Sequence, residues 1–183
     1  KVLIRDKMHI LLTRPLEDSK ELILRFSYLG HKVSHLPVIK VKPIIHDEPE
    51  YKKFKGIIFT SSNAIKNLSL NNINKKIKCF CVGSATEKVA KQNGFQNIIS
   101  AEGNVNNLKE LILQSFDPNN GSLLYVSGEV ISSKLDRDLI AEGYSIERLV
   151  DYTVVSIEEM KEEFRTELVS SIPDIIYVYS ENS

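Results

Sequence analysis

Short apolar runs alternating with stretches of helical period constrain this chain more than any other feature of its sequence. His9–Leu12, Lys32–Leu36, Gly56–Thr60, Ile77–Val82, Asn97–Ser100, Ser122–Val126, Tyr144–Leu149 and Asp174–Tyr179 read as strands, being short, largely apolar and bounded by turn residues. Between most of them lies a helix. Glu17–Leu29 carries Leu22, Phe26 and Leu29 at helical spacing and ends at Gly30, where a left-handed C-cap belongs. Ala85–Gln92 stops at Asn93-Gly94, Asn106–Phe116 stops before Pro118, and Lys134–Glu142 stops at Gly143. This alternation is the sequence form of a parallel sheet covered by helices, so the fold class is α/β.

A second regularity appears when the sequence is slid on itself so that His9 falls on Ser122. His9–Ile39 then aligns with Ser122–Tyr152 without a gap, with Leu11/Leu124, Ser19/Ser132, Leu22/Leu135 and Gly30/Gly143 identical and the apolar phases in agreement. After each copy comes an extended segment and then an apolar strand with a polar end, IIFTSSNA from Ile57 and IIYVYSENS from Ile175. An internal duplication explains the pattern. It predicts two lobes with parallel sheets, 1–37 plus 158–183 and 38–157, linked by a two-stranded hinge near 37–45 and 149–157. PVIKVKP and DYTVVS suit such strands through their β-branched residues and edge prolines. The chain begins at Lys1 without a Met and stops after YSENS, which reads as an incomplete chain. A further segment is expected to repeat the strand, glycine and helix of CFCVGSATEKVA.

Charge narrows the possible partners. With 24 Lys+Arg against 24 Asp+Glu there is no basic footprint for displacing phosphate counterions, so nucleic acid is not expected. A 42% hydrophobic, 26% charged composition is that of a chain with a proper core. No apolar run approaches the roughly 20 residues of a membrane span. Arg5, Asp6 and Lys7 occupy the place of a signal peptide's apolar centre, which predicts a cytoplasmic protein. Cys79 and Cys81 fall on one face of a strand without bridging geometry and read as reduced, buried thiols. His9, His31, His35 and His46 stand in no metal-ligand spacing, His46-Asp47-Glu48 reads as a solvated loop, and no metal is expected. GxGxxG, GxxxxGK[ST] and GxSxG are absent.

In open parallel sheets ligands bind beyond the carboxyl ends of the strands. Here those ends are almost uniformly small and polar: Thr13-Arg14-Pro15, Thr60-Ser61-Ser62-Asn63, Gly83-Ser84-Ala85-Thr86 and Ser127-Gly128. Each is either an ordinary helix cap or part of an anion site built from hydroxyls and backbone amides, and only convergence of several argues for a site.

In this order the landmarks resemble the uroporphyrinogen-III synthase family. LLTRP at Leu11–Pro15 resembles its opening strand, followed by Gly30 and the Pro37 linker. IIFTSSNA at Ile57–Ala64, CVGSAT at Cys81–Thr86 and LLYVSGE at Leu123–Glu129 resemble its later strand ends, and DYTVV at Asp151–Val155 its returning linker with a tyrosine. The resemblance implies two flavodoxin-like lobes joined by a two-stranded hinge, with the active site in the cleft between them. It implies a monomer that needs no cofactor and closes the linear tetrapyrrole hydroxymethylbilane into uroporphyrinogen III, with loss of water and inversion of ring D, in haem biosynthesis. A direct hand-off from the bilane-forming enzyme is a further expectation.

Carried onto this sequence, the linker tyrosine is Tyr152, either the acid that assists departure of the substrate hydroxyl or a residue that packs and bonds locally. Thr86 either caps its helix or meets a substrate carboxylate, with Gly83 and Ser84 supplying amides beside it. Ser61, Ser62, Asn63, Ser127 and Gly128 are the remaining donors of that lobe, and Ser180 is the matching serine of the other. Arg14 either faces the site or forms a surface pair. Glu87 and Glu181 depart from the pattern, since an inward carboxylate would repel an acidic substrate. A rival from another class, a non-catalytic two-lobed module binding a phosphorylated or carboxylated molecule, fits the small polar ends too. Bound flavin fits less well, since Trp is absent and no aromatic pair follows TSSN.

Overall fold

The computed structural model describes residues 7–178. In chain order its elements are β1 (His9–Leu12), α1 (Leu16–Tyr28), β2 (Lys32–His35), β3 (Ile39–Pro43), β4 (Phe54–Phe59), α2 (Ser62–Asn67), β5 (Lys78–Val82), α3 (Gly83–Gln92), β6 (Asn97–Ala101), α4 (Val105–Ser115), β7 (Ser122–Gly128), α5 (Leu135–Ala141), β8 (Ile146–Ser156), α6 (Glu162–Ser170) and β9 (Ile175–Tyr177). They form a mixed α/β fold with parallel sheets. The chain divides into two compact units, one of the residues up to Val41 together with those from Val154, the other Lys42–Thr153. Among the described residues no helix is long and apolar enough to cross a membrane.

In the first unit β1 lies between β2 and β9 in a parallel three-stranded sheet. All four residues of β1 are buried, as expected of a central parallel strand covered on both faces. Pro15 stands immediately before α1, and Glu17 and Asp18 lie in its positively polarised first turn. Gly30, at φ +85°, then turns the chain out of the helix in a conformation costly to any side chain.

In the second unit the strands follow the order β3-β8-β7-β4-β5-β6, the unit boundaries falling within β3 and β8. β4 pairs in parallel with β5 and β7, β5 with β6, and β7 with β8. The register sets Phe59 beside Cys81 and Val126, and Gly128 beside Tyr152. The carboxyl ends of these strands therefore open on one edge. Ile58, Phe80, Leu123 and Tyr125 from the strands pack with Leu108, Ile112, Leu135 and Leu139 from α4 and α5. The Phe80 and Phe116 rings meet edge-on at 6.2 Å, and the Tyr144 hydroxyl donates to the Phe116 carbonyl at 2.7 Å. Cys79 and Cys81 are free and buried, their sulfurs 3.8 Å apart.

Four elements differ from the sequence reading. β8 runs unbroken from Ile146 to Ser156, joining the expected strand Tyr144–Leu149 to the expected linker strand, because pairing with β7 continues through Val150 to Tyr152. β7 extends past Val126 to Gly128 by the same pairing. Two helices were not expected: α2, six residues started by the Ser61 side chain, and α6, which buries no residue and so leaves no apolar stripe to read.

Candidate active site

Tyr152 sits on β8 opposite Gly128, the last residue of β7, and both are buried. A Cβ at position 128 would stand 2.9 Å from the tyrosine ring and 3.2 Å from its hydroxyl oxygen, so only glycine lets the ring lie this close to the β7 backbone. The Glu129 amide donates to the Tyr152 carbonyl at 2.8 Å, and Thr153 Oγ1 donates to Glu129 Oε2 at 2.7 Å. Arg148, four residues earlier on β8, spans the same turn. Its Nε donates to Ser127 Oγ at 2.8 Å, and one terminal nitrogen donates to the carbonyls of Gly128 and Glu129 at 2.8 and 3.0 Å. Tyr152 is thus framed by backbone held on both sides.

Beside it lies a cavity of about 190 Å³ at the carboxyl edge of the sheet, with Tyr152, Tyr125, Thr60, Ser61, Ser132 and Ser133 among its walls. Tyr125 Oη and Thr60 Oγ1 are 3.2 Å apart. Burial pushes the Tyr125 phenol up, against the opposing effects of the Thr60 hydrogen bond and the Arg148 charge. A neighbouring cavity of about 320 Å³ shares Ile131–Ser133 and is lined further by Lys134, Asp136, Arg137 and Arg148. The two together present phenols and hydroxyls next to a wall where Lys134, Arg137 and Arg148 outweigh the Asp136 carboxylate, an arrangement suited to a polar, acidic ligand. A third cavity, of about 290 Å³, lies at the amino ends of the strands over Phe54, Ile57, Ile77 and Leu124, with Lys52 and Lys55 on its walls. It is away from the strand ends where ligands of open parallel sheets bind.

Of the residues singled out in the sequence, Ser61, Gly128 and Tyr152 come together at the 190 Å³ cavity. Ser61 is also the cap of α2, its Oγ accepting from the Asn63 amide at 3.3 Å, and Asn63 accepts from Asn67 through its carbonyl. Ser62 opens that helix. Ser127 is buried and engaged by Arg148 rather than facing the cavity. Gly83 and Ser84 begin α3, with Gly83 at φ +78°. Thr86 lies inside α3 and is buried; the cap position belongs to Val82, so Thr86 caps nothing. Glu87 is turned to Lys91 one helical turn on, and that ammonium holds its carboxyl below the usual range. Arg14, in the first unit, pairs with Asp18 at 3.4 Å. Ser180 lies outside the described residues.

Tyr125 and Arg148 were not singled out. Tyr125 sits in an unbroken apolar run and reads as core; Arg148 is one charge in a strand and reads as solvated. Asp151 is a third surprise. It is buried beside Tyr152, with Oδ1 2.9 Å from His46 Nε2 and Oδ2 without a hydrogen-bond partner. Among the described residues no group of three potential metal ligands occurs.

The family model described as uroporphyrinogen-III synthase HemD matches residues 20–183. No curated protein matches the chain. Among solved structures, uroporphyrinogen-III synthetase from Helicobacter pylori 26695 is similar at a TM-score of 0.58 and 18% identity, over 93% of this chain and 72% of that one. A mutant uroporphyrinogen III synthase from the extremely thermophilic bacterium Thermus thermophilus is similar at 0.55 and 14% identity, over 92% and 71%. At such identities the structural likeness carries the fold, and the family model, spanning most of the sequence, carries the assignment. The chain belongs to the uroporphyrinogen-III synthase family, enzymes of haem biosynthesis.

Proposed function

We propose that the family's reaction is carried out at the hydroxyl-lined cavity of the second unit, with Tyr152 as proton donor. The observation that carries this reading is the seat of Tyr152: a phenol pressed on Gly128, at the carboxyl edge of a parallel sheet, on the wall of a polar cavity. The phenol gives its proton to the terminal hydroxyl of hydroxymethylbilane while the C–O bond breaks and its electron pair leaves with oxygen as water. The cation left behind is attacked by the substituted carbon of ring D, and the resulting spiro intermediate opens and recloses with that ring inverted. A proton lost from the ring carbon restores the pyrrole, and the phenolate takes one back.

The sum is loss of one water with no change of oxidation state, which supports a reaction needing no electron carrier. The enzyme's part is then positioning and electrostatics. Lys134, Arg137 and Arg148 beside the cavity suit the carboxylates of the substrate, which explains how a chain of zero net charge can hold a polyanion. The test supplies freshly made hydroxymethylbilane to the protein, oxidises the product and resolves type I from type III porphyrin. Mainly type III product is expected, and Tyr152→Phe should lower its rate roughly 100-fold, the usual reach of a positioned general acid. Type I product alone from folded protein would overturn the reading.

A further inference from the structure

Two tyrosines in the core of the second unit end in different ways. The Tyr144 hydroxyl donates to the Phe116 carbonyl at 2.7 Å, which uses its single proton and closes a purely structural bond. Tyr125 is more deeply buried, with its ring in the same core cluster, yet its hydroxyl reaches the cavity wall and finds a side-chain hydroxyl, Thr60 Oγ1, at 3.2 Å. Two hydroxyls hold two protons, and one hydrogen bond between them uses one. If Tyr125 donates, the Thr60 proton is left over; if Thr60 donates, the Tyr125 proton is. In either arrangement the pair keeps one O–H free.

From this geometry we infer that the Tyr125–Thr60 pair is a second hydrogen-bond donor of the site, acting on the departing oxygen opposite Tyr152. The inference rests on the reading of this cavity as the reaction site. As the C–O bond breaks, negative charge grows on the leaving oxygen. Tyr152 transfers a proton to it, and the free O–H of the pair donates a hydrogen bond without giving up its proton, so no further acid is needed and the stoichiometry is unchanged. A phenylalanine at 125 would fill the core equally well, which leaves the hydroxyl without a packing role. Burial keeps the phenol protonated across the working range, as a donor must be. A donor that strengthens only in the transition state should appear in kcat and not in KM.

The test measures kcat, KM, type III fraction and Tm for Tyr125→Phe, Thr60→Val and Thr60→Ser beside the unaltered protein. Tyr125→Phe is expected to lower kcat about 10- to 100-fold, somewhat under the effect of deleting a full oxyanion-hole donor, with KM within about twofold. The type III fraction should fall as unaided closure to type I competes. Thr60→Val should lose less, about 3- to 10-fold, since the phenol keeps its proton but not its aim, and Thr60→Ser should restore kcat to within about twofold. A kcat for Tyr125→Phe within twofold of the parent, a loss confined to KM, or equal damage from Val and Ser at 60 would each overturn the inference. Should Tyr125→Phe fail to fold, the contrast between Val and Ser at 60 decides alone. Type I product from the unaltered protein would bring down the reaction site itself, whereas normal parent turnover with an indifferent Tyr125→Phe brings down only this pair.

Discussion

The segments β1–α1–β2 and β7–α5–β8 align without a gap, yet they fold differently at one place. β1 ends at Leu12 and α1 begins at Leu16. In the second copy the strand runs on to Gly128 and the helix waits until Leu135. Residues 129–134, which align with the first turns of α1, are a loop instead, and that loop lines both carboxyl-edge cavities. The cause is local. Copy one has Pro15 at the helix entrance, acids in the first turn, and an Arg14–Asp18 pair across it. Copy two has Gly128, β-branched Val130 and Ile131, and two serines, while Arg148 takes up the carbonyls of Gly128 and Glu129 that a helix starting there would bond to its own amides one turn on. The same topology starts a helix at once in one copy and leaves a cavity-lining loop in the other. The delayed helix is what leaves room for the cavity.

The largest way to break this difference is Gly128→Ala. The new methyl would need to occupy space 2.9 Å from the Tyr152 ring, and neither backbone nor ring can yield freely. Overpacking of this kind costs about 1–3 kcal/mol. The tyrosine must also shift, and a displacement of about 1 Å is enough for a roughly 100-fold loss of rate. Type III formation should fall by about that factor while Tm drops by several degrees; a variant with parental kcat would show that the close approach of ring and glycine is incidental.

Arg148→Ala attacks the loop rather than the ring. Ser127 Oγ and two carbonyls lose a charged donor, Gly128 and Ser127 being buried, and the cost should be about 2 kcal/mol. Arg148→Lys cannot reach all three acceptors in the geometry of a planar fork and should recover less than half of it. Amide hydrogen exchange gives the sharper reading: protection should fall at Ser127–Thr153 and stay unchanged in α1. Equal loss in both copies would mean that Arg148 stabilises the fold at large.

These two residues also mark how far the sequence could be read. The alternation of strands and helices was legible because each parallel strand is a short apolar run and most helices end at a glycine or proline. Gly128 and Ser61 were legible as members of polar strand ends, and Tyr152 only through the resemblance of DYTVV to the family's linker. What stayed hidden depended on pairing. That β7 continues to Gly128 follows from its bonds to β8, and no local pattern in VSGE announces it. Of the two readings of Thr86, cap or carboxylate contact, the cap fails because Gly83, at positive φ, already opens the helix and leaves Thr86 inside it. Tyr125 could not be told from core, since a hydroxyl at the tip of a buried ring is invisible in an apolar run.

The smallest effect concerns the residue beside Tyr152, where the copies carry Val38 and Asp151. Val38 adds nothing titratable, whereas Asp151 is buried against His46. Both nitrogens of His46 face oxygens, Nε2 the Asp151 carboxylate at 2.9 Å and Nδ1 the Asp47 carbonyl at 2.9 Å, so the ring bonds best as an imidazolium. The Asp151 hydrogen bond raises the His46 pKa, helped by the Asp47 carbonyl and opposed by burial. Burial raises Asp151 as well, outweighing the pull of His46. Glu48 and Tyr51 lie nearby, and the Tyr51 phenol, pushed up to about 12 chiefly by burial, stays neutral. Both shifts have the same sign: the folded state holds these protons more tightly than the unfolded chain. The His46 contribution is therefore complete below its unfolded value near 6.5 and is lost as pH rises through the higher folded value. Asp151 works the same way from a lower unfolded value, so its buried charge weighs against folding throughout the neutral range. The pair should be worth about 1 kcal/mol or less near pH 6. Urea unfolding of the parent and His46→Gln should differ most at about pH 6 and converge by about pH 9, while Asp151→Asn should flatten the profile. A difference that does not change with pH would mean that His46 contributes packing alone, and that the two copies differ here in shape and not in charge.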